Sequence, residues 1–225
     1  MDTRLVVICA AGCGSRLGAN RPKSLVEVGG KSILEWQLMH IVPENVRVKV
    51  VVGFQGESVA RMARRFRPSV TVVINDEWKS TKTGCSLSLG IAGETDRCVS
   101  LDGDLLVRPV DFQSILSKDV DTVGVGDVNS EQPVYAVLDA FQCCRQLTYS
   151  EPTLYEWTGL VNFNPQFMRP HRGNVFEMIE SLLPCASMPV QCVEVDTPRD
   201  LANAMVEWNQ INRPEGRIER YNRAG

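Results

Sequence analysis

The sequence predicts an α/β protein: a three-layer α/β/α arrangement around a mostly parallel mixed sheet, with a small antiparallel excursion. Three observations carry that prediction. Short β-branched runs alternate with helical patterns from the first residues onward. A glycine-rich loop follows the first of those runs. Charged residues fall where the strands end, and ligands gather at that edge of a parallel sheet. At 225 residues, 44% hydrophobic and 23% charged, the chain fits one domain, 1–225, with a core of its own.

Taken in order, Leu5–Ala10 reads as the first strand, being short, apolar and closed by glycines. Ser32–Ile41 reads as a helix, because Ser32 and Glu35 have capping-box spacing just after Gly29-Gly30. Strand-like runs then follow at Val46–Val52, Val70–Ile74, Cys98–Leu101 and Thr122–Val125. Helical patterns at Glu57–Phe66, Cys85–Ala92 and Pro109–Leu116 separate them. The rhythm breaks after Gly126. Segment 127–163 carries only β-like pieces, Val134–Leu138 and Leu160–Phe163, and reads as an antiparallel excursion folded over the sheet, on the acceptor side. A helix returns at Asn174–Leu183, and Val190–Val195 reads as the last strand. Pro198 opens a closing helix from Arg199 to about Ile211. The polar tail 213–225 is expected to be loose.

Composition removes several classes. A net charge of −3 gives no bulk attraction to nucleic acid or to an anionic membrane. The local basic run Arg61–Arg67 reads as the solvated end of a helix, where cations complement the dipole. No apolar run approaches the roughly 18 residues of a membrane span, and Met1-Asp2-Thr3-Arg4 leads straight into a strand without a signal segment. The eight cysteines form no C-x-x-C pair and there are two histidines, so neither a zinc site nor a disulfide framework is expected. The chain reads as cytoplasmic with reduced thiols.

The loop "AAGCGSRLGANRPKSLVEVGG" is the first chemical signal. It fails the dinucleotide pattern G-x-G-x-x-G, since Leu17 stands where the third glycine belongs, and it fails the Walker A spacing for the same reason. Glycines nevertheless allow backbone N–H groups to turn inward as an anion nest. Arg16 forks onto phosphate and Lys23 adds a mobile point charge. Asp102-Gly103-Asp104 follows one strand and Asp196 follows another. Carboxylates without histidine or thiolate partners suit Mg²⁺, which keeps substrate phosphates in its shell. Nest, lysine and carboxylates together point to Mg²⁺–nucleoside triphosphate chemistry.

These residues also carry a resemblance. Ala10-Ala11-Gly12-Cys13-Gly14-Ser15-Arg16-Leu17-Gly18 followed by Pro22-Lys23-Ser24-Leu25 resembles the N-terminal signature of the sugar-phosphate nucleotidyltransferase superfamily. Gly30 and Leu34 continue it. Asp104 is similar to that family's central metal-binding aspartate, and Glu194-Val195-Asp196-Thr197-Pro198 is similar to its closing segment. The resemblance implies a nucleotide-diphospho-sugar transferase-like (GT-A-like) fold, with Mg²⁺ held by Asp104 and Asp196. It implies nucleotide contacts from Ala10, Ala11, Gly12, Gly14 and Ser15, and catalytic roles for Arg16 and Lys23. Within the superfamily the chain resembles small phosphocholine-type cytidylyltransferases. Segment Asn75–Leu87 is similar to their base-side stretch, although Lys82 stands where asparagine is usual. Thr83, Gly84, Ser86 and Asp102 are then expected on the base and ribose side, with CTP the favoured triphosphate.

The expected reaction moves a nucleoside monophosphate to a phosphorylated small molecule, such as phosphocholine or a sugar phosphate, and releases pyrophosphate. Tyr155, Glu156 and Trp157 are expected at the acceptor, as an aromatic box able to hold a quaternary ammonium. Two other readings stand beside it: a nucleotide-sugar-dependent glycosyltransferase, and a non-catalytic nucleotide-binding regulator of the same fold. A Rossmann oxidoreductase fails on the glycine spacing and on strand two, which ends Val51-Val52-Gly53-Phe54 without an acidic residue for a ribose.

Overall fold

The computed structural model describes residues 4–18 and 20–212, so the tail 213–225 lies outside the described residues. The chain opens with β1 (Leu5–Ala10), buried along its whole length. After the glycine loop comes a small hairpin, β2 (Glu27–Val28) and β3 (Lys31–Ser32), then α1 (Ile33–Trp36), which continues as a π-helical turn over Gln37–Ile41. There follow β4 (Arg47–Val52), α2 (Gly56–Phe66), β5 (Thr71–Ile74) and α3 (Thr83–Ile91). Next are β6 (Cys98–Asp102), β7 (Leu105–Val107), α4 (Pro109–Leu116) and β8 (Thr122–Asp127). The second half holds β9 (Tyr135–Leu138), β10 (Cys143–Thr148), β11 (Tyr155–Phe163) and α5 (Val175–Met178). It ends with β12 (Cys185–Pro189), β13 (Cys192–Glu194) and α6 (Pro198–Ile211).

Nine strands form one mixed sheet in the order β5-β4-β1-β6-β11-β8-β12-β10-β9. Pairing is parallel through β5, β4, β1 and β6. Successive side chains of a strand alternate between faces, and β1 divides accordingly. Val6, Ile8 and Ala10 join a core covered by α1, α2, α4 and α6. Leu5, Val7 and Cys9 join a second core covered by α3 and α5. The three expected layers are thus two helical layers around one sheet.

The structure departs from the sequence reading in four places. First, the excursion enters the sheet instead of lying over it. β11 inserts between β6 and β8, antiparallel to both, with Leu160–Phe163 wholly buried. β9 pairs with β10 and also with β11, so β8, β12, β10, β9 and β11 close into a ring, and the antiparallel share is larger than the apolar pattern indicates. Second, the last strand shrinks to β13 and leaves the main sheet, pairing antiparallel with β7. Third, the predicted Ser32–Ile41 helix is α-helical for one turn only before it widens to the π form. Fourth, Arg61, Arg64 and Arg65 are solvated as expected, but Arg67 turns inward and is 6% exposed. Its guanidinium donates to the carbonyls of Pro43, Glu44 and Val46 at 2.7, 2.8 and 2.7 Å. Those carbonyls lie beyond the end of the π turn and have no helical partners, which is what a buried arginine satisfies.

Candidate active site

β1 delivers the buried residues Ala10 and Ala11 to the sheet edge, where the loop turns. The N–H groups of Gly12, Cys13 and Gly14 donate to no other group among the described residues. Gly14 adopts φ +62°, and a Cβ there would sit 2.7 Å from Cγ of Lys23. Glycine is therefore required twice, for the left-handed turn and for the lysine stem that lies across it. Ser15–Leu17 makes a single 3-10 turn, with Ser15 and Arg16 exposed. A second 3-10 turn, Lys23–Leu25, follows Pro22 and brings Lys23 back over the loop.

Three separated segments meet there. The Lys23 ammonium donates to Asp104 Oδ2 at 2.8 Å and pairs with Asp196 Oδ1 as well. Arg16 Nη1 lies 2.5 Å from Asp196 Oδ2. Lys23, Asp104 and Asp196 are 17, 16 and 15% exposed at their side chains, so these charges face each other with little water between. Asp104 is presented by the turn after β6, pinned by Gly103 N–H donating to the Cys9 carbonyl and by Val195 N–H donating to the Asp104 carbonyl. Asp196 sits one residue before Thr197, whose hydroxyl caps α6 in a capping box with Asp200.

Glu194 completes the cluster, and the sequence reading passed over it. One carboxylate oxygen each from Asp104, Glu194 and Asp196 lie within 4.8 Å of one another. A signal was present, because residues two apart in an extended segment share a side. Although Glu194 keeps an exposed surface, surrounding protein and then the Asp104 charge push its carboxyl up to about 7, against the pull of Lys23. An all-oxygen set of three carboxylates fits the donor preference of Mg²⁺. Asp102 lies deeper. Its Oδ1 is buried without a hydrogen-bond partner among the described residues. Burial, and then the Asp104 and Glu194 charges, push its carboxyl well above the ordinary range.

The expected base-side residues occupy the first turn of α3 with their polar groups already engaged. Thr83 Oγ1 accepts from Val175 N–H at 3.3 Å, and Gly84 N–H donates to the Gly173 carbonyl at 2.8 Å. Ser86 Oγ accepts from Asn75 Nδ2 at 3.1 Å. These contacts knit α3 to the start of α5 and, through Asn75, to the segment after β5.

The acceptor trio is divided by the pleat of β11. Tyr155 and Trp157 pack against the second core, and alternation turns Glu156 to the opposite face. There its buried carboxylate accepts from the N–H groups of Asn129 and Ser130 at 3.0 and 3.3 Å. Glu156 thus holds the loop after β8, and the expected box does not close around it. A different aromatic group forms instead: Tyr149 and Trp157 both set edges against Phe176, with ring centres 5.2 and 6.4 Å apart. Phe176, 19 residues beyond Trp157 in the chain, carried no local signal. A groove of about 560 Å³ lies elsewhere, between α2 and β5, lined by Val52, Ala60, Val72 and Ile74. No helix among the described residues is long and apolar enough to cross a membrane.

A mixed sheet with helices on both faces gives the chain a nucleotide-diphospho-sugar transferase-like fold. The chain belongs to the family of the MobA-like NTP transferase domain, whose model matches residues 6–158. That match includes Arg16, Lys23 and Asp104 and ends before Glu194 and Asp196. Among curated proteins, the chain is 31% identical over 130 residues to a "Bifunctional enzyme IspD/IspF" of Clavibacter michiganensis subsp. michiganensis, covering 55% of this chain and 32% of that protein. It is 31% identical over 113 residues to a "Bifunctional protein GlmU" of Bifidobacterium longum subsp. infantis, covering 50% of this chain and 24% of that one. The matched region spans a third or less of those relatives. Among solved structures, the inositol-1-phosphate CTP transferase of T. maritima superposes with a TM-score of 0.75 at 17% identity, covering 94% of this chain and 97% of that one. The CTP:phosphocholine cytidylyltransferase LicC of Streptococcus pneumoniae gives 0.75 at 17%, covering 91% and 98%. At such identity these two carry the fold.

Proposed function

We propose that this chain is a nucleotidyltransferase that moves a nucleoside monophosphate from a nucleoside triphosphate, with CTP favoured, to a phosphorylated small molecule and releases pyrophosphate. The observation that carries the proposal is the meeting of Arg16 and Lys23 with Asp104 and Asp196 beside a loop whose Gly12–Gly14 N–H groups have no partner among the described residues. The family membership supports the reaction class. The names of the two structural neighbours, an inositol-1-phosphate CTP transferase and a CTP:phosphocholine cytidylyltransferase, support CTP and a phosphorylated small-molecule acceptor of the phosphocholine or inositol-phosphate kind.

The chemistry follows from these side chains. A phosphate monoester brings its nucleophilic oxygen already ionised, so no general base is needed, and catalysis reduces to positioning and charge neutralisation. The Gly12–Gly14 N–H groups and Arg16 grip the outer phosphates. Lys23, held low over Gly14, supplies positive charge against the negative charge that grows at the α-phosphate. Asp104, Glu194 and Asp196 would hold Mg²⁺, which would supply charge neutralisation at phosphate oxygens.

Pyrophosphate release tests the reading, measured for each of CTP, UTP, GTP, ATP and dTTP with Mg²⁺ against phosphocholine, phosphoethanolamine, glycerol phosphate, phosphonates and sugar 1-phosphates. The expected result is strong release for one pair, lost in Asp104→Ala. Saturable nucleotide binding without release for any pair would instead favour the regulatory reading.

A further inference from the structure

Gln37 has no assigned part in the site, yet it is fully buried directly beneath it. Its side-chain Nε2 donates to the Asp102 carbonyl at 2.7 Å and to the Leu105 carbonyl at 2.8 Å. Those two carbonyls bracket Gly103-Asp104, so one amide group ties both ends of the turn that presents Asp104. The residue begins the π-helical turn Gln37–Ile41, and such widened turns are frequent at functional sites. Its Oε1 is buried and has no partner among the described residues. An apolar side chain of the same size would fill this space without stranding an oxygen. The amide is thus explained by what its NH₂ group does, and no second role competes for it.

We propose that Gln37 is a positioning residue: its buried amide clamps the Asp102–Leu105 turn so that the Asp104 carboxylate is held facing Lys23, Glu194 and Asp196. Supporting groups one step behind metal-binding carboxylates set ligand orientation in this way. The kinetic part of the test rests on the transferase reading; the cation-binding part does not.

Gln37→Met keeps the volume and removes both donors. Mn²⁺ alone is the probe, with the free ion read by electron paramagnetic resonance. Q37M is expected to bind Mn²⁺ about 10-fold to 100-fold more weakly than wild type. Pyrophosphate release should fall by a similar factor in kcat, with KM for the triphosphate unchanged, because the loop that grips it is untouched. Asn162→Leu is the matched control. Asn162 is also buried and also ties backbone carbonyls, those of Ile115 and Lys118 at 2.7 and 3.1 Å, away from the carboxylates. N162L should lower thermal stability yet leave Mn²⁺ binding and kcat alone. Should Q37M not fold, wild type still answers: the Gln37 side-chain amide protons should exchange slowly with water and shift when Mg²⁺ is added.

Wild type that binds no Mn²⁺, Q37M that binds it equally, or amide protons that exchange freely and ignore Mg²⁺ would each overturn the clamp. If wild type releases no pyrophosphate with any triphosphate while Q37M loses Mn²⁺ affinity, the transferase reading fails and the clamp stands. If wild type turns over and Q37M matches it throughout, the reverse holds.

Discussion

Lys23 is the side chain on which most of the cleft's charge converges. It faces both aspartates and lies over Gly14, which makes two substitutions informative. Lys23→Met is expected to lower kcat by roughly 10²–10³-fold, the usual cost of removing one preorganised charge partner from a transition state; steady-state pyrophosphate release with the fitted pair checks it. Gly14→Ala meets a left-handed backbone and the lysine stem together, so activity should fall with Lys23 still present. The backbone strain alone costs about 1–2 kcal/mol, visible as a lower denaturation midpoint. Arg67 illustrates the opposite outcome for a basic residue. In sequence it belongs to a solvated run, and in the structure it serves four backbone carbonyls, those of Val42, Pro43, Glu44 and Val46. Its guanidinium is easier to deprotonate than usual because burial disfavours the charge. Arg67→Met should destabilise by about 2 kcal/mol or more through those lost charged hydrogen bonds, measured by urea unfolding, with nucleotide affinity unaffected.

Among the elements, β4 and the loop before β6 are joined by a carboxylate between two cations: Glu94 meets Arg47 at 2.6 Å and Lys49 at 2.8 Å. The Arg47 hydrogen bond, with help from Lys49, holds the Glu94 carboxyl below its ordinary value of 4.5. A depressed folded-state value means stability that is present above 4.5 and lost as pH falls through the folded value. Wild type should therefore lose stability more steeply below pH 4.5 than Glu94→Gln, in thermal melts taken across that range. The parallel elements β1, β4 and β6 were legible in sequence because strands covered on both faces read as apolar runs, and β5, which buries none of its residues, was legible from its β-branched run Thr71-Val72-Val73-Ile74. β10 and β12 were not. Cys143–Thr148 buries only Cys144 and Leu147, and Cys185–Pro189 only Cys185, so neither shows a run or a clean alternation. The site divides in the same way. Arg16, Lys23, Asp104 and Asp196 were visible because each sits beside a strand end or a glycine turn. Gln37 was hidden in a helical pattern whose widening to a π turn leaves no mark in composition. The Phe176 contact depends on tertiary packing alone.

At the scale of the whole molecule, α6 has two tasks. Its N-terminus follows Asp196, and its Trp208, 1% exposed, closes the first core with an edge set against Trp36 at 5.5 Å. Trp208→Ala should cost about 3–5 kcal/mol. It should also weaken activity at temperatures where most of the protein is still folded, since the helix that anchors one carboxylate is loosened; melting curves beside pyrophosphate assays separate the two effects. The ring formed by β8, β12, β10, β9 and β11 has a consequence of another kind. A sheet that meets itself at one end, through the β9–β11 pair Tyr135 and Glu156, is left with β5 as the strand that has no neighbour along its whole outer margin among the described residues. Thr71–Ile74 carries no charge and no proline, and Ile74 is 63% exposed, so two of the usual guards against edge-to-edge joining are missing and its four-residue length remains as one. A strand added from another molecule, in an aggregate or from an attached fusion partner, has that margin as its point of entry to this sheet.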